Sequence, residues 1–153
     1  MNRTKLSKKA FIDSAKVFPG GVNSPVRAFQ NVNSLPVFIK RGKGSYIYDL
    51  DGNKYIDYIG SWGPMILGHA NASVITAIEK NIRYSTSFGA HTILKTKLAK
   101  KLKKSFPSME KMRMKSSGTK ANMSAIRLAR GLTDRDKIIK LEGGYHEHVG
   151  CLL

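Results

Sequence analysis

Four short stretches of the chain carry side chains able to do chemistry. Ser117-Gly118-Thr119 falls between an alternating, strand-like stretch and a helical one. A helix N-terminus presents unpaired N–H groups at the positive end of its dipole, two hydroxyls add donors, and glycine permits close backbone approach. The stretch therefore suits a phosphate group. Ser or Thr at that place can equally do no more than cap the helix. The Gly-x-x-x-x-Gly-Lys frame of a Walker loop is absent. Tyr145-His146-Glu147-His148 follows the next predicted strand at its carboxyl end, where α/β folds place ligands. Alternate histidines in a loop, with no third distant ligand, argue against a metal centre. Two readings stay open there: a plain surface loop, or a Tyr145 ring laid flat against a planar ligand held at the phosphate site. Arg27, after Asn23-Ser24-Pro25-Val26, has the fork that clamps a carboxylate through two hydrogen bonds, as any surface arginine does. Trp62, the single tryptophan, sits among glycine and proline as either a core plug or a pocket wall.

The elements that must position these residues are legible from periodicity. Leu6, Ala10, Phe11, Ala15 and Phe18 recur at helical spacing and predict an amphipathic helix over 4–18, ended by Pro19-Gly20-Gly21. Residues 20–35 read as irregular. Val37-Phe38-Ile39, Tyr46-Ile47-Tyr48 and Tyr55-Ile56-Asp57-Tyr58, separated by Gly42-Lys43-Gly44 and Asp51-Gly52, predict a β-meander. Gly60-Ser61-Trp62-Gly63-Pro64 holds too many breakers to be regular. Helices follow over 72–84, on Val74, Ile75, Ile78 and Ile82, and over 92–104, on Leu94, Leu98 and Leu102. Strands are predicted at Lys111–Lys115 and Lys137–Leu141, with a helix between them carrying Met123, Ile126, Leu128 and Ala129 and capped at Gly131. That order is one βαβ unit with a parallel pair of strands.

With 153 residues the chain has the length of one modest domain. Its 41 % hydrophobic content supports a core and argues against disorder. A net charge of +17 raises nucleic acid as a partner. The densest basic patch is Lys95, Lys97, Lys100, Lys101, Lys103 and Lys104, with no aromatic stacking partners between them, and it reads as the solvated face of a helix whose leucines pack inward. The remaining basic residues are scattered, as an AT-rich coding bias would scatter them, so nucleic acid is not expected. Cys151 is the single cysteine and excludes a disulfide framework. No apolar run approaches the roughly 18 residues of a membrane span, and charges interrupt the place of a secretory core. A soluble, cytoplasmic chain is expected.

Longer stretches carry a family resemblance. Phe18-Pro19-Gly20-Gly21-Val22-Asn23-Ser24-Pro25-Val26-Arg27, Gly60 through Ala70, Thr86-Ser87-Phe88-Gly89-Ala90, Ser116-Ser117-Gly118-Thr119, Met123 through Gly131 and Glu142-Gly143-Gly144-Tyr145-His146 resemble the glutamate-1-semialdehyde 2,1-aminomutases. These belong to the class III pyridoxal-phosphate-dependent aminotransferases. The resemblance runs from about residue 7 to residue 153 and implies an incomplete α/β fold of the aspartate-aminotransferase type. Residues 1–60 would form an amino-terminal segment of helix and meander, and residues 61–153 the start of the large cofactor-binding domain. It implies conversion of glutamate 1-semialdehyde to 5-aminolevulinate for tetrapyrrole synthesis, with pyridoxal 5'-phosphate, cycling through its pyridoxamine form, as the group that carries the chemistry. A homodimer is implied for the full-length family. Ser117, Gly118 and Thr119 match the phosphate cradle, and Tyr145 the ring stacked on the pyridine, with His146 beside it. Arg27 matches the holder of the substrate carboxylate, and Ser24 and Trp62 match pocket-lining positions.

The sequence departs from the family at Lys120, where the family usually has Glu, and at Glu147, where it usually has Gly. The Schiff-base lysine and the aspartate that partners the pyridine nitrogen lie downstream of the matched stretches. No catalytic residue is therefore assigned here, and the chain is expected to be inactive on its own. Two other readings compete: a portion of another class III aminotransferase, and a non-catalytic basic module that binds phosphate or nucleic acid.

Overall fold

The computed structural model describes residues 4–144 and 148–152. They fall into two compact units, Met1–Ser87 and Phe88–Leu153.

The first unit opens with α1 (Lys5–Ser14). It ends four residues short of the predicted limit; turns carry the chain on to Phe18, whose N–H donates to Ser14 O at 2.9 Å, and there Pro19 forces the extended backbone (φ −121°, ψ 133°) that stops them. The irregular stretch contains three 3₁₀ turns, Pro19–Gly21, Pro25–Ala28 and Gln30–Val32, two of them begun by the proline that fixes φ for a first turn. The predicted meander forms as an antiparallel sheet β1-β2-β3: β1 (Ile39–Lys43), β2 (Tyr46–Asp49) and β3 (Lys54–Ile56). A bulge shifts register between Ile39 and Arg41. Arg41 pairs with Tyr48 across β1 and β2 and lies over its ring at 3.5 Å.

Polar contacts, more than apolar burial, tie α1 to the sheet. The Asp51 carboxylate accepts from the Leu6 N–H at 2.8 Å and the Ser7 N–H at 2.9 Å, so it caps α1 from 44 residues away. Ser7 Oγ in turn accepts from Phe38 N at 3.3 Å. Asp49 is buried at the end of β2 and gathers hydrogen bonds from Asn53 and Tyr55. Beyond β3, the loop over residues 60–70 returns to the sheet: Gly44 N donates to His69 O at 2.9 Å and His69 N to Gly44 O at 2.8 Å. Gly68 has φ +74°, and a Cβ there would stand 2.8 Å from the Gly44 carbonyl oxygen. Gly68→Ala is therefore expected to destabilise the first unit by about 2 kcal/mol or more, read as a lowered urea midpoint at unchanged slope. The unit closes with α2 (Ala72–Ile82), capped by Asn71 accepting from Ser73 N and Val74 N.

The second unit contains α3 (Ile93–Ser105) and α4 (Gly118–Thr133). The leucine stripe of α3 packs inward only in part: Leu102 is half-buried, whereas Leu94 and Leu98 are about half exposed. The strands predicted at 111–115 and 137–141 have no ladder among the described residues. A strand exists only where a neighbour supplies hydrogen bonds, and consecutive βαβ strands are sheet neighbours in only about two-thirds of cases. The expected cap at Gly131 is also corrected. The helix runs through Gly131, and Asp134 takes the left-handed position (φ 52°) with its N–H on Arg130 O. Among the described residues no helix is long and apolar enough to cross a membrane.

Candidate active site

A concave cavity of about 530 Å³ opens in the first unit, and both Arg27 and Trp62 line it. Arg27 gets there through the Pro25–Ala28 turn, whose first bond runs from Arg27 N to Ser24 O at 2.9 Å. Ser24 itself is absent from the lining; it sets the turn with an extended backbone. Arg27 makes no ion pair among the described residues. Trp62 is 62 % exposed, so it is a wall of the cavity and not a core plug. Its loop is unusual: Gly60, Ser61, Trp62 and Gly63 all have positive φ, at 53°, 56°, 66° and 111°. Such geometry is uncommon for a bulky residue and persists only where surrounding bonds fix it.

Backbone bonds within the turn supply part of that, Met65 N to Gly60 O at 3.1 Å among them, and the rest comes from Asp57 and His69, two cavity residues not among the sequence candidates. Asp57 Oδ2 and His69 Nε2 lie 2.6 Å apart, with side chains only 10 % and 21 % exposed. Asp57 Oδ1 accepts from Ile59 N at 2.9 Å and Gly60 N at 3.1 Å. The bond with His69, then those from the two amides, hold the Asp57 carboxyl below the usual carboxylate range against a smaller opposing effect of burial. Gly42 makes room for the imidazole, since a Cβ there would meet His69 Cγ at 2.5 Å; in the sequence, His69 stands out only as part of the Gly60–Ala70 stretch, and Asp57 not at all.

In the second unit, Ser117, Gly118 and Thr119 stand at the start of α4, as expected. Ser117 caps the helix, its Oγ accepting from Lys120 N at 3.3 Å. Lys120 turns back, Nζ donating to Ser116 Oγ at 3.1 Å, and the first turn contains no acidic residue. Hydroxyls, helix-end amides and a lysine with no carboxylate among them fit an anionic phosphate by the chemistry of the set. Ser117→Ala removes the cap and should lower the stability of α4 by about 1 kcal/mol, visible as reduced helical circular dichroism in anion-free buffer. Tyr145 and His146, with Glu147, lie outside the described residues.

Residues 28–153 match the class-III aminotransferase family. The chain is 59 % identical over 151 residues to a glutamate-1-semialdehyde 2,1-aminomutase of Thermodesulfovibrio yellowstonii, covering 99 % of this chain and 35 % of the relative. It is 60 % identical over 147 residues to one from Listeria welshimeri, covering 96 % and 34 %. It thus spans about a third of the length of these relatives, their amino-terminal portion. Among solved structures, a transaminase with PLP bound superposes with a TM-score of 0.87 at 34 % identity, covering 95 % of this chain and 34 % of that one. A glutamate-1-semialdehyde-aminomutase from Pseudomonas aeruginosa gives 0.84 at 25 % identity, covering 95 % and 32 %. The fold is therefore part of the α/β aminotransferase type, and the chain belongs to the class-III aminotransferase family.

Proposed function

We propose that the chain supplies the substrate-carboxylate clamp and the cofactor-phosphate cradle of an enzyme that converts glutamate 1-semialdehyde to 5-aminolevulinate, a step toward tetrapyrroles. The observation that carries this reading is the shared cavity of Arg27 and Trp62, in a chain 59 % identical to an aminomutase along nearly its whole length. Arg27 holds the carboxylate of the substrate through charge-assisted bonds, and Trp62 walls the pocket so that the chain of the substrate lies in one orientation. Ser24 acts through the turn that presents Arg27. Ser117, Gly118 and Thr119 hold the phosphate of pyridoxal phosphate at the start of α4, with Lys120 adding positive charge. Tyr145 stacks on its ring, with His146 beside it. When bound, that cofactor supplies the electron sink for amino transfer. The same reading places the enzyme in the cytoplasm and makes its full-length form a homodimer.

The test is a chimera joining this chain to the remaining carboxy-terminal part of the Thermodesulfovibrio yellowstonii relative. Formation of 5-aminolevulinate from glutamate 1-semialdehyde is expected. A chimera that folds and takes up pyridoxal phosphate yet turns over other amino donors in place of this substrate would overturn the substrate and leave the family.

A further inference from the structure

The 60–69 loop is fixed at both ends by bonds that converge on two side chains. At its start, Asp57 Oδ1 accepts the amides of Ile59 and Gly60. At its end, His69 exchanges two backbone bonds with Gly44 and sets its ring over the bare α-carbon of Gly42. The 2.6 Å contact between Asp57 Oδ2 and His69 Nε2 joins the two ends. Between them lies the run of four positive-φ residues that contains Trp62. The turn's own bonds, Trp62 N to Ile59 O at 3.1 Å, Gly63 N to Gly60 O at 3.2 Å, Met65 N to Gly60 O at 3.1 Å and Gly68 N to Met65 O at 2.9 Å, are local and leave the indole 62 % exposed. Those local bonds shape the turn, and the loop ends set where the turn, and with it the exposed indole, stands against the sheet.

We propose that Asp57 and His69 are positioning residues: their hydrogen bond ties together the two ends of the 60–69 loop, which the His69–Gly44 backbone bonds seat on the β1–β2 hairpin, and thereby holds Trp62 on the wall of the cavity that Arg27 shares. The consequence for substrate binding rests on the function proposed above; the placement of Trp62 does not. The pair aligns a flat apolar wall with a cationic group, which suits a short aliphatic chain ending in a carboxylate. A ready-made wall spares the substrate the ordering of a loop.

Trp62 is the single tryptophan, so it reports on its own loop without any ligand. In the full chain, His69→Leu fills the space over Gly42 but loses the bond to Asp57, whereas the amide nitrogen of His69→Gln reaches the place of Nε2. The tryptophan band of the near-ultraviolet circular dichroism should fall to roughly half in His69→Leu, and the fast component of Trp62 anisotropy decay should grow about twofold. His69→Gln should keep both signals, and hydrogen-exchange protection of the β2 amides should persist in each variant. An unchanged Trp62 signal in His69→Leu overturns the proposal. So does equal loss in His69→Gln, which would make ring packing the cause. Loss of β2 protection together with the Trp62 signal also overturns it, because the pair would then be holding the sheet. In the chimera, His69→Leu should raise KM more than it lowers kcat. A chimera inactive on glutamate 1-semialdehyde, beside a Trp62 freed by His69→Leu, sinks the substrate and leaves the positioning role standing.

Discussion

Arg27→Ala in the chimera is expected to lower kcat/KM for glutamate 1-semialdehyde by about a hundredfold, or about 2.7 kcal/mol of transition-state binding. Arg27 stands on the cavity wall without a carboxylate partner among the described residues, so its guanidinium is available to a ligand. Asp57 lines the same cavity, but its two oxygens are taken by His69 and by the amides of Ile59 and Gly60. A hydrogen bond to a charged group contributes roughly 1.5–3 kcal/mol, and a forked pair sits at the upper end. The carboxylate keeps its charge through the reaction, so the clamp serves ground and transition states alike and the loss should fall mainly on KM. Arg27→Lys should recover part of it, because lysine restores the charge but not the planar fork. Steady-state kinetics of the three proteins decides; an unchanged KM in Arg27→Ala would remove Arg27 from the site.

The helices and the meander were legible because each depends on neighbours in sequence. The apolar spacing of Val74, Ile75, Ile78 and Ile82 marks α2, and Asp51-Gly52 marks the turn between β2 and β3. What the sequence hid is tertiary. Asp51 looked like a turn residue only, yet its carboxylate caps a helix 44 residues away. Lys111–Lys115 and Lys137–Leu141 have strand composition but no ladder among the described residues, because pairing is supplied by a neighbour and not by propensity. Gly131 and Asp134 exchanged roles at the end of α4 because a helix tolerates an interior glycine and aspartate tolerates the left-handed cap.

The site shows the same division. Ser117, Gly118 and Thr119 could be placed at a helix start from spacing alone, and the structure puts them there. The cavity joining Arg27 to Trp62 could not, since 35 residues separate them and the intervening meander brings them together. The pairing of Asp57 with His69 was hidden for a further reason. An aspartate after a strand and a histidine after a glycine are each unremarkable, and only their 2.6 Å contact gives them a role.

Asp49→Ala should open the meander, with a loss of about 4 kcal/mol. Asp49 is 2 % exposed and accepts from Asn53 N at 2.8 Å, Asn53 Nδ2 at 2.7 Å and the Tyr55 hydroxyl at 2.9 Å. Alanine removes the acceptor from these three donors and from the Asp51 amide, in a unit where Ala28 and Pro36 are the only apolar side chains buried among the described residues. With so little apolar burial to offset the loss, a sheet of three short strands has no reserve. Acid should do the same to the wild type. Burial pushes the Asp49 carboxyl up, but the bonds from the Asn53 and Tyr55 side chains and from the Asn53 and Asp51 amides outweigh it and hold it below its ordinary value. A carboxylate depressed in the folded state stabilises fully above its unfolded value, about 3.9, and loses that contribution as pH falls through the folded one. Asp57 is depressed too and acts in the same direction. Protection of the β2 and β3 amides should therefore be flat from neutral pH down to about 5 and collapse below about 4. In Asp49→Ala it should be weak at every pH. Strong exchange protection of the Ile47 and Tyr55 amides in Asp49→Ala would show that the sheet stands without its buried carboxylate.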